Sequence, residues 1–348
     1  MSTALSTNQA SGLESPPPIV SIVIPAFNRI DPLRLTLRSA VAAIGQLGEP
    51  VEVLLIDDGS EPPLATSLAG TINDQQVRIL RQPNRGSIVA RQTGLKAALG
   101  TYVLFLDSDD LIAPEKLRAH VAQLRTTGAD ISYDDVGAAT TDPDQPVEVL
   151  RELPFVSTVE ELVLRVQPLP HGPVYRREYL RRALQQPVIP PLRECDAAGD
   201  VWLYYNLSIH PARLVKVTGL FSLIGVHEEG RYSQHWEKLG FAALGIMEAF
   251  MRNCPNTPAT DAARTLVGEC AFNSWRRLPR GFVPAYNRRL LAVWRAAPHP
   301  ERMQLGGPLF RLLAAVFGRV GAGRLLRLRN AAYTSIRTLD DVALKRLS

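Results

Sequence analysis

The sequence predicts an α/β fold in which a mostly parallel sheet is flanked by helices and followed by a helical C-terminal extension. Between residues 19 and 133, short apolar runs rich in β-favouring residues alternate with stretches of helical periodicity. The alternation comes at βα spacing, which implies right-handed crossovers and parallel strands. From Trp236 onward the chain reads as several helices separated by Pro and Gly breaks.

Each element has its own reason. Residues 19–25 form the first strand, closed by Pro25. Residues 31–44 place Leu33, Leu37, Ala40, Val41 and Ile44 on one helical face, with Asp31 as N-cap. Residues 51–56 are a second strand that ends in acid, Asp57-Asp58-Gly59-Ser60, and residues 77–80 a third. Residues 87–99 are a helix stopped by Gly100. The run 102–106 is too short for an ordinary helix and reads as a buried strand, followed at once by Asp107-Ser108-Asp109-Asp110. A helix over 114–126 and a strand over 131–133 complete the alternation. Beyond Asp134 the rhythm changes. Residues 138–146 read as loop, 159–166 as helix, 171–175 as a short strand leading into a helix over 176–184, 200–209 as helix and 212–217 as strand.

Composition is that of a globular chain of one large or two ordinary domains: 348 residues with 46% apolar side chains. Residues 1–18 are rich in Ser, Gly and Pro and read as a disordered tail, not a signal peptide. No stretch has the length of an uncharged transmembrane helix. Cys195, Cys254 and Cys270 are scattered and odd in number, so a reducing, cytoplasmic compartment is expected. The net charge of +5 hides an asymmetry: residues 276–348 hold 15 Lys and Arg against 3 Asp and Glu. Such a basic segment suits an anionic surface.

The chemistry concentrates at strand ends. Open α/β sheets bind ligands at the carboxyl ends of their strands, where Asp57-Asp58 and Asp107-Ser108-Asp109 fall. Two carboxylates one residue apart can share a hard divalent cation with a ligand's phosphates. Either acidic turn alone could equally be a solvated turn or an Asx-turn. The dinucleotide fingerprint G-x-G-x-x-G is missing after the first strand, where Pro25-Ala-Phe-Asn-Arg29 stands instead. No P-loop occurs either.

Taken together, Val20-Ser-Ile-Val-Ile-Pro-Ala-Phe-Asn-Arg29, Ile56-Asp-Asp-Gly-Ser60, Asn84-Arg-Gly86, Ala90-Arg-Gln-Thr-Gly94 and the stretch from Gly100 to Asp110 resemble the family 2 glycosyltransferases of the GT-A (nucleotide-diphospho-sugar transferase-like) fold. Phe27 stands where these proteins more often have Tyr. The resemblance covers residues 19–133 and implies an inverting transfer of a sugar from a nucleotide-sugar, UDP-linked by expectation. It divides residues 19–235 into a nucleotide-sugar-binding half, 19–133, and an acceptor-side half, 134–235, with 236–348 as a basic helical extension. It also implies that Pro25, Ala26, Asn28, Asp57, Asp58, Asn84, Gly86, Arg91, Asp107 and Ser108 line the nucleotide. Asp107 and Asp109 match the metal motif, for Mn2+ or Mg2+, and His227 matches a third ligand used by some members.

An acceptor hydroxyl needs a general base, and the family usually places a Glu-Asp pair before an aromatic-rich helix. Here Asp200 fits best, preceding Trp202 and Leu203, but Gly199 occupies the Glu position. Glu194 and Asp196 are rivals, and Asp200 could also be a helix cap. His171-Gly172 and Trp202 are candidates for the acceptor pocket. The basic amphipathic stretches 310–319 and 324–329 have two readings, contact with the inner, anionic face of a membrane or packing on the core or a second subunit. No nucleic-acid-binding module is recognised. The expected acceptor is a glycan, a lipid-linked sugar or another hydroxyl compound. A nucleotidyltransferase and a catalytically inactive nucleotide-binding module are the competing readings, the latter raised by Gly199.

Overall fold

A computed structural model of the chain describes residues 16–70, 77–139, 148–225, 235–299 and 305–347. The first half runs β1 (Val20–Ala26), α1 (Ile30–Leu47), β2 (Val51–Asp57), α2 (Leu64–Ser67), β3 (Val77–Arg81), α3 (Ser87–Ala97), β4 (Tyr102–Phe105), β5 (Leu111–Ile112) and α4 (Lys116–Thr127). Next come β6 (Ile131–Ala139), β7 (Glu148–Arg151), β8 (Val174–Arg176), α5 (Arg177–Leu184), α6 (Gly199–Leu207) and β9 (Leu214–Gly225). The extension is helical: α7 (Trp236–Asn253), α8 (Asp261–Arg277), α9 (Pro284–Ala296), α10 (Pro308–Arg327), α11 (Tyr333–Ile336) and α12 (Asp341–Leu347).

One sheet runs in the order β3-β2-β1-β4-β8-β6-β9-β5, with β7 beside β6. The four strands β3, β2, β1 and β4 are mutually parallel, in keeping with their largely apolar runs. The acceptor-side strands are mixed, since β8 runs antiparallel to both β4 and β6 while β6 and β9 are parallel. Strand alternation feeds two cores. Ile22, Ile24, Leu55 and Leu104 face α1 and α4, and Val23, Ile56, Val103 and Phe105 face α3 and the helices beyond.

That second core continues without a break into Phe250, Phe272, Trp275, Trp294 and Phe310. The helical extension therefore shares its interior with the sheet. Arg276 stacks over the Phe310 ring at 4.1 Å, fixing the start of α10.

Some expectations need correction. Helix α1 begins at Ile30, and Asp31 lies inside its first turn, bonded to Arg34 at 3.0 Å instead of capping the backbone. The helix expected over 159–166 forms, with Glu161–Val166 wound as a π-helical turn. Strand β7, unforeseen, pairs with β6. Strand β9 runs to Gly225, past the expected end at 217. Thr218 and Gly219, the latter at φ 143, interrupt its apolar run, and the β6 pairing shifts register there. The expected tail falls mostly outside the described residues.

Under the acceptor-side half lies a fully buried ionic network. Lys116 Nζ donates to Asp134 Oδ1 at 2.8 Å, to Gly172 O at 2.9 Å and to Ser222 Oγ at 2.8 Å. Burial, then the Lys116 charge, pushes the neighbouring His120 down to about 4, so it is neutral at pH 7. Removing one member of such a network strands a buried charge at a cost of about 3–5 kcal/mol.

Candidate active site

The chain leaves β1 for β2 and β3 on one side, then returns to place β4 on the other. The crevice at the carboxyl ends of β1 and β4 is thus the topological switch point of the sheet, where ligands bind in open α/β folds. A cleft of about 1190 Å3 opens there. Pro25, Ala26, Asp58, Asn84, Gly86, Arg91, Asp107, Ser108, Asp109 and Asp200 all line it, so the structure gathers most of the expected site residues.

Their contacts separate scaffold from free functional groups. Asp58 accepts from Arg85 N at 2.9 Å and Gln82 Nε2 at 2.7 Å with one oxygen, and from Gly86 N at 2.8 Å with the other. It thereby ties down the 82–86 loop while showing 5% of its surface to the cleft. Gly86 sits at φ 92, and a Cβ there would lie 2.7 Å from the Asp196 carboxylate. Asn84 is held by Arg193, which donates to its carbonyl at 2.8 Å and to its Oδ1 at 2.9 Å.

Two expected nucleotide contacts turn away from the cleft. Asp57 is 1% exposed, and its oxygens accept from Ser60 N at 2.8 Å and Leu64 N at 3.1 Å. It closes a turn, because the strand delivers it to the inner side of the sheet end. Asn28, at φ 55, accepts from Glu61 N through its side-chain oxygen at 2.9 Å and donates its backbone N–H to Ser60 Oγ at 3.1 Å, so it shapes the loop behind the cleft. His227 lies outside the described residues.

Arg91 is the most telling side chain. It is 8% exposed and pairs through one Nη with Asp107 Oδ1 at 2.5 Å, while its Nε and other Nη have no acceptor. Buried unpaired donors are costly, so a ligand anion at this point would be well received. Gly199 explains itself here. A Cβ on it would come within 2.9 Å of the Arg91 guanidinium and 2.9 Å of Ser87 Oγ, so the missing Glu makes room for the arginine.

Asp109 forms an ion pair with Arg29 at 2.5 Å. Asp107 and Asp109 thus flank the cleft, each held by an arginine. Among the described residues no group of three His, Cys, Asp or Glu could hold a metal ion. Two carboxylates completed by diphosphate oxygens and water are nevertheless the donor set that Mg2+ or Mn2+ takes at phosphate sites, so the residues fit a cation that arrives with its ligand.

Asp200 stands in the first turn of α6, half-buried at the cleft wall. Burial raises its carboxyl above the ordinary aspartate range; the nearby Arg91 charge partly offsets this. Its rivals are placed differently. Asp196 accepts from Ile88 N at 2.9 Å and Ser87 Oγ at 3.0 Å, so it caps α3 from outside. Glu194 is exposed on the 3-10 turn Arg193–Ala198. Trp202 is core, 2% exposed with its indole N–H on Ile189 O. His171 is buried with Nδ1 3.1 Å from Asp110 Oδ2.

Sequence reasoning missed the far wall. Residues of α7, with Arg289 and Arg346, close the cleft opposite the sheet. It also missed Arg29 as the partner of Asp109, and Phe27 and Asp110 as lining residues. The 80-residue separation of Arg29 from Asp109 hides that pair from any local pattern.

The chain matches the profile described as Glycosyl transferase family 2 over residues 21–186. It is 36% identical over 158 residues to the succinoglycan biosynthesis protein ExoW of Rhizobium meliloti, covering 41% of this chain and 49% of that one. It is 34% identical over 126 residues to ExoO of the same organism, covering 36% and 35%. A third relative is the undecaprenyl-phosphate 4-deoxy-4-formamido-L-arabinose transferase of Klebsiella pneumoniae, 37% identical over 126 residues, covering 35% and 37%. The chain spans about half or less of the length of these relatives. In fold it is similar to residues 1–349 of S. aureus TarS, a structure in complex with UDP-GlcNAc, with a TM-score of 0.58 at 14% identity, covering 92% of this chain and 93% of that one. Sheet order, strand-end acids and profile agree, and over residues 21–186 the chain is similar to glycosyl transferase family 2.

Proposed function

We propose that the protein transfers a sugar, with inversion, from a nucleoside-diphosphate donor to an acceptor hydroxyl. The observation that carries this reading is the pairing, in one cleft, of a raised, half-buried Asp200 with the Asp107–Arg91 pair, whose arginine keeps unfilled donors. Asp200 takes the acceptor proton, the acceptor oxygen bonds to the anomeric carbon, and the bond from that carbon to the diphosphate breaks. Arg91 receives the charge that develops on the leaving diphosphate. A divalent cation held by Asp107 and Asp109 would add Lewis-acid stabilisation of the same charge. The base and the leaving group sit at opposite ends of one displacement, which gives inversion. UDP is the favoured nucleotide because the structural neighbour TarS is described with UDP-GlcNAc and with UDP.

Thermal shift with UDP-, GDP- and dTDP-sugars plus Mn2+ tests the donor. A ligand that binds only the folded state adds about 3 kcal/mol of stability at a hundred times its Kd and so raises the melting temperature. UDP-sugars should give the largest shift. No shift with any nucleotide-sugar, and no nucleoside-diphosphate release with a broad acceptor panel, would sink the reading.

The extension is proposed to rest on an anionic leaflet. On α10, Leu312 is 67% exposed and Val316 70%, next to Arg311, in a segment of strongly positive charge. Among the described residues no helix is long and apolar enough to cross a membrane. Truncating the segment would delete buried Phe310 and Tyr333 and so damage the core. The better variant is Leu312→Glu with Val316→Glu. The wild type should sediment with phosphatidylglycerol vesicles at low salt and dissociate as salt screens it, and the variant should stay in solution. Failure of the wild type to sediment at low salt would leave packing against a second subunit as the role of this face.

A further inference from the structure

The cleft is segregated by charge. On the sheet side Arg29 and Arg91 are each matched to a carboxylate, Asp109 and Asp107, and Arg193 donates to Asn84. On the helical side one carboxylate, Glu248, lines the cleft, and Arg289 neutralises it with two bonds of 2.8 Å. Lys238, Arg252 and Arg346 also line that side, and none has an ion pair or side-chain hydrogen bond among the described residues. Two helices distant in sequence, α7 and α12, thus deliver unmatched cations to one wall.

Helix α7 supplies most of that wall. Lys238, Ala242, Gly245, Ala249 and Arg252 follow each other at three- and four-residue steps, with Phe241 beside Ala242, so they share one helical face. At 1.5 Å per residue, the two cations lie about 21 Å apart along the axis, with the apolar stretch between them. At its centre, a Cβ on Gly245 would meet nothing within 4 Å. A nucleoside diphosphate held by Arg91 would leave this wall uncovered.

We infer that the acceptor carries an anionic group, a phosphate or a carboxylate, and lies along α7 with that group at one of the cations Lys238, Arg252 and Arg346. This rests on the glycosyl-transfer reading for the word acceptor, but the cations and the open groove are independent of it. A low-dielectric wall of one sign concentrates ligands of the opposite sign. The apolar stretch suits a hydrocarbon or the face of a sugar ring between charged contacts.

The experiment uses full-length protein loaded with UDP and Mn2+, and measures binding by calorimetry alongside UDP release. Two matched pairs serve as probes: farnesyl phosphate against farnesol, and a glucuronate-ended trisaccharide against its glucose-ended counterpart. At least one anionic member should bind about tenfold or more tightly than its neutral counterpart, and the pair that shows the difference identifies phosphate or carboxylate. Lys238→Gln with Arg252→Gln should erase most of that difference while UDP affinity holds. Gly245→Leu adds helix propensity and its Cβ meets no atom within 4 Å, so it should fold, bind UDP and lose the anionic probe. Equal binding within both pairs, unchanged in the double variant, would overturn the anionic-acceptor inference even if sugar transfer proceeds. Anion binding that persists with no UDP affinity would overturn the transferase reading instead and leave the anion site standing.

Discussion

Asp200→Asn is expected to lower turnover by about a hundredfold or more while nucleotide affinity and melting temperature stay near wild type. Asn keeps the shape of Asp and suits the first turn of a helix, so α6 should form as before. What it loses is the ability to take a proton. The base must be ionised to act, so the rate should fall as pH drops through the Asp200 pKa. Burial raises that pKa, and the acid limb of the wild-type profile should therefore sit above the ordinary aspartate range. Asp196→Asn should be mild, because its Oδ1 can still accept from Ile88 N and Ser87 Oγ. Glu194→Gln should change little from its exposed position. UDP release, UDP affinity and melting temperature measured on all three variants give the answer. A near-normal rate in Asp200→Asn, with collapse in either other variant, would move the base. No turnover in the wild type with any donor would favour an inactive binding module, although Gly199, the residue that raised that possibility, is accounted for by the space Arg91 needs.

What could be read in the sequence was local. The parallel strands are mainly apolar runs, and the acidic ends of β2 and β4 mark the crevice, so the donor half and its carboxylates were legible residue by residue. The difference between Asp57 and Asp58 was not. Neighbours at a strand end point to opposite sides, and only the paired register of β1, β2 and β3 decides which carboxylate closes a turn and which meets the cleft. The ion pairs of Asp107 and Asp109 join segments far apart in sequence. The α7 wall was hidden for another reason. Its period identifies a helix, but Phe241 and Ala242 are nearly buried and line the cleft as well, so hydrophobicity alone cannot tell core from groove. Strand β9 was shortened because Thr218 and Gly219 break its pattern at the register shift.

Asp109→Ala should reduce sugar transfer by about a thousandfold, the order of effect that losing several kcal/mol of metal-ion stabilisation produces. Its effect on UDP affinity has a sign that discriminates between two sites. Asp109 is bound to Arg29 and Asp107 to Arg91, both at 2.5 Å. If the arginines alone meet the diphosphate, removing Asp109 unmasks Arg29 and UDP should bind more tightly, with or without a cation. If Asp107 and Asp109 share a cation with the diphosphate, the same substitution removes a ligand, and UDP should bind at least about tenfold more weakly in Mn2+. The second outcome is expected, because on that side of the cleft Asp58, Asp107, Asp109, Asp110, Glu194, Asp196 and Asp200 outnumber Arg29, Arg91 and Arg193. A diphosphate would meet that acidic surface at a cost that two already paired arginines do not offset, and a divalent cation reverses the local sign. Calorimetry of UDP with Mn2+ and with chelator, on wild type and Asp109→Ala, reads both. Tighter, cation-independent binding in the variant would remove the metal from the mechanism and leave Arg29 and Arg91 as the groups that hold the leaving diphosphate.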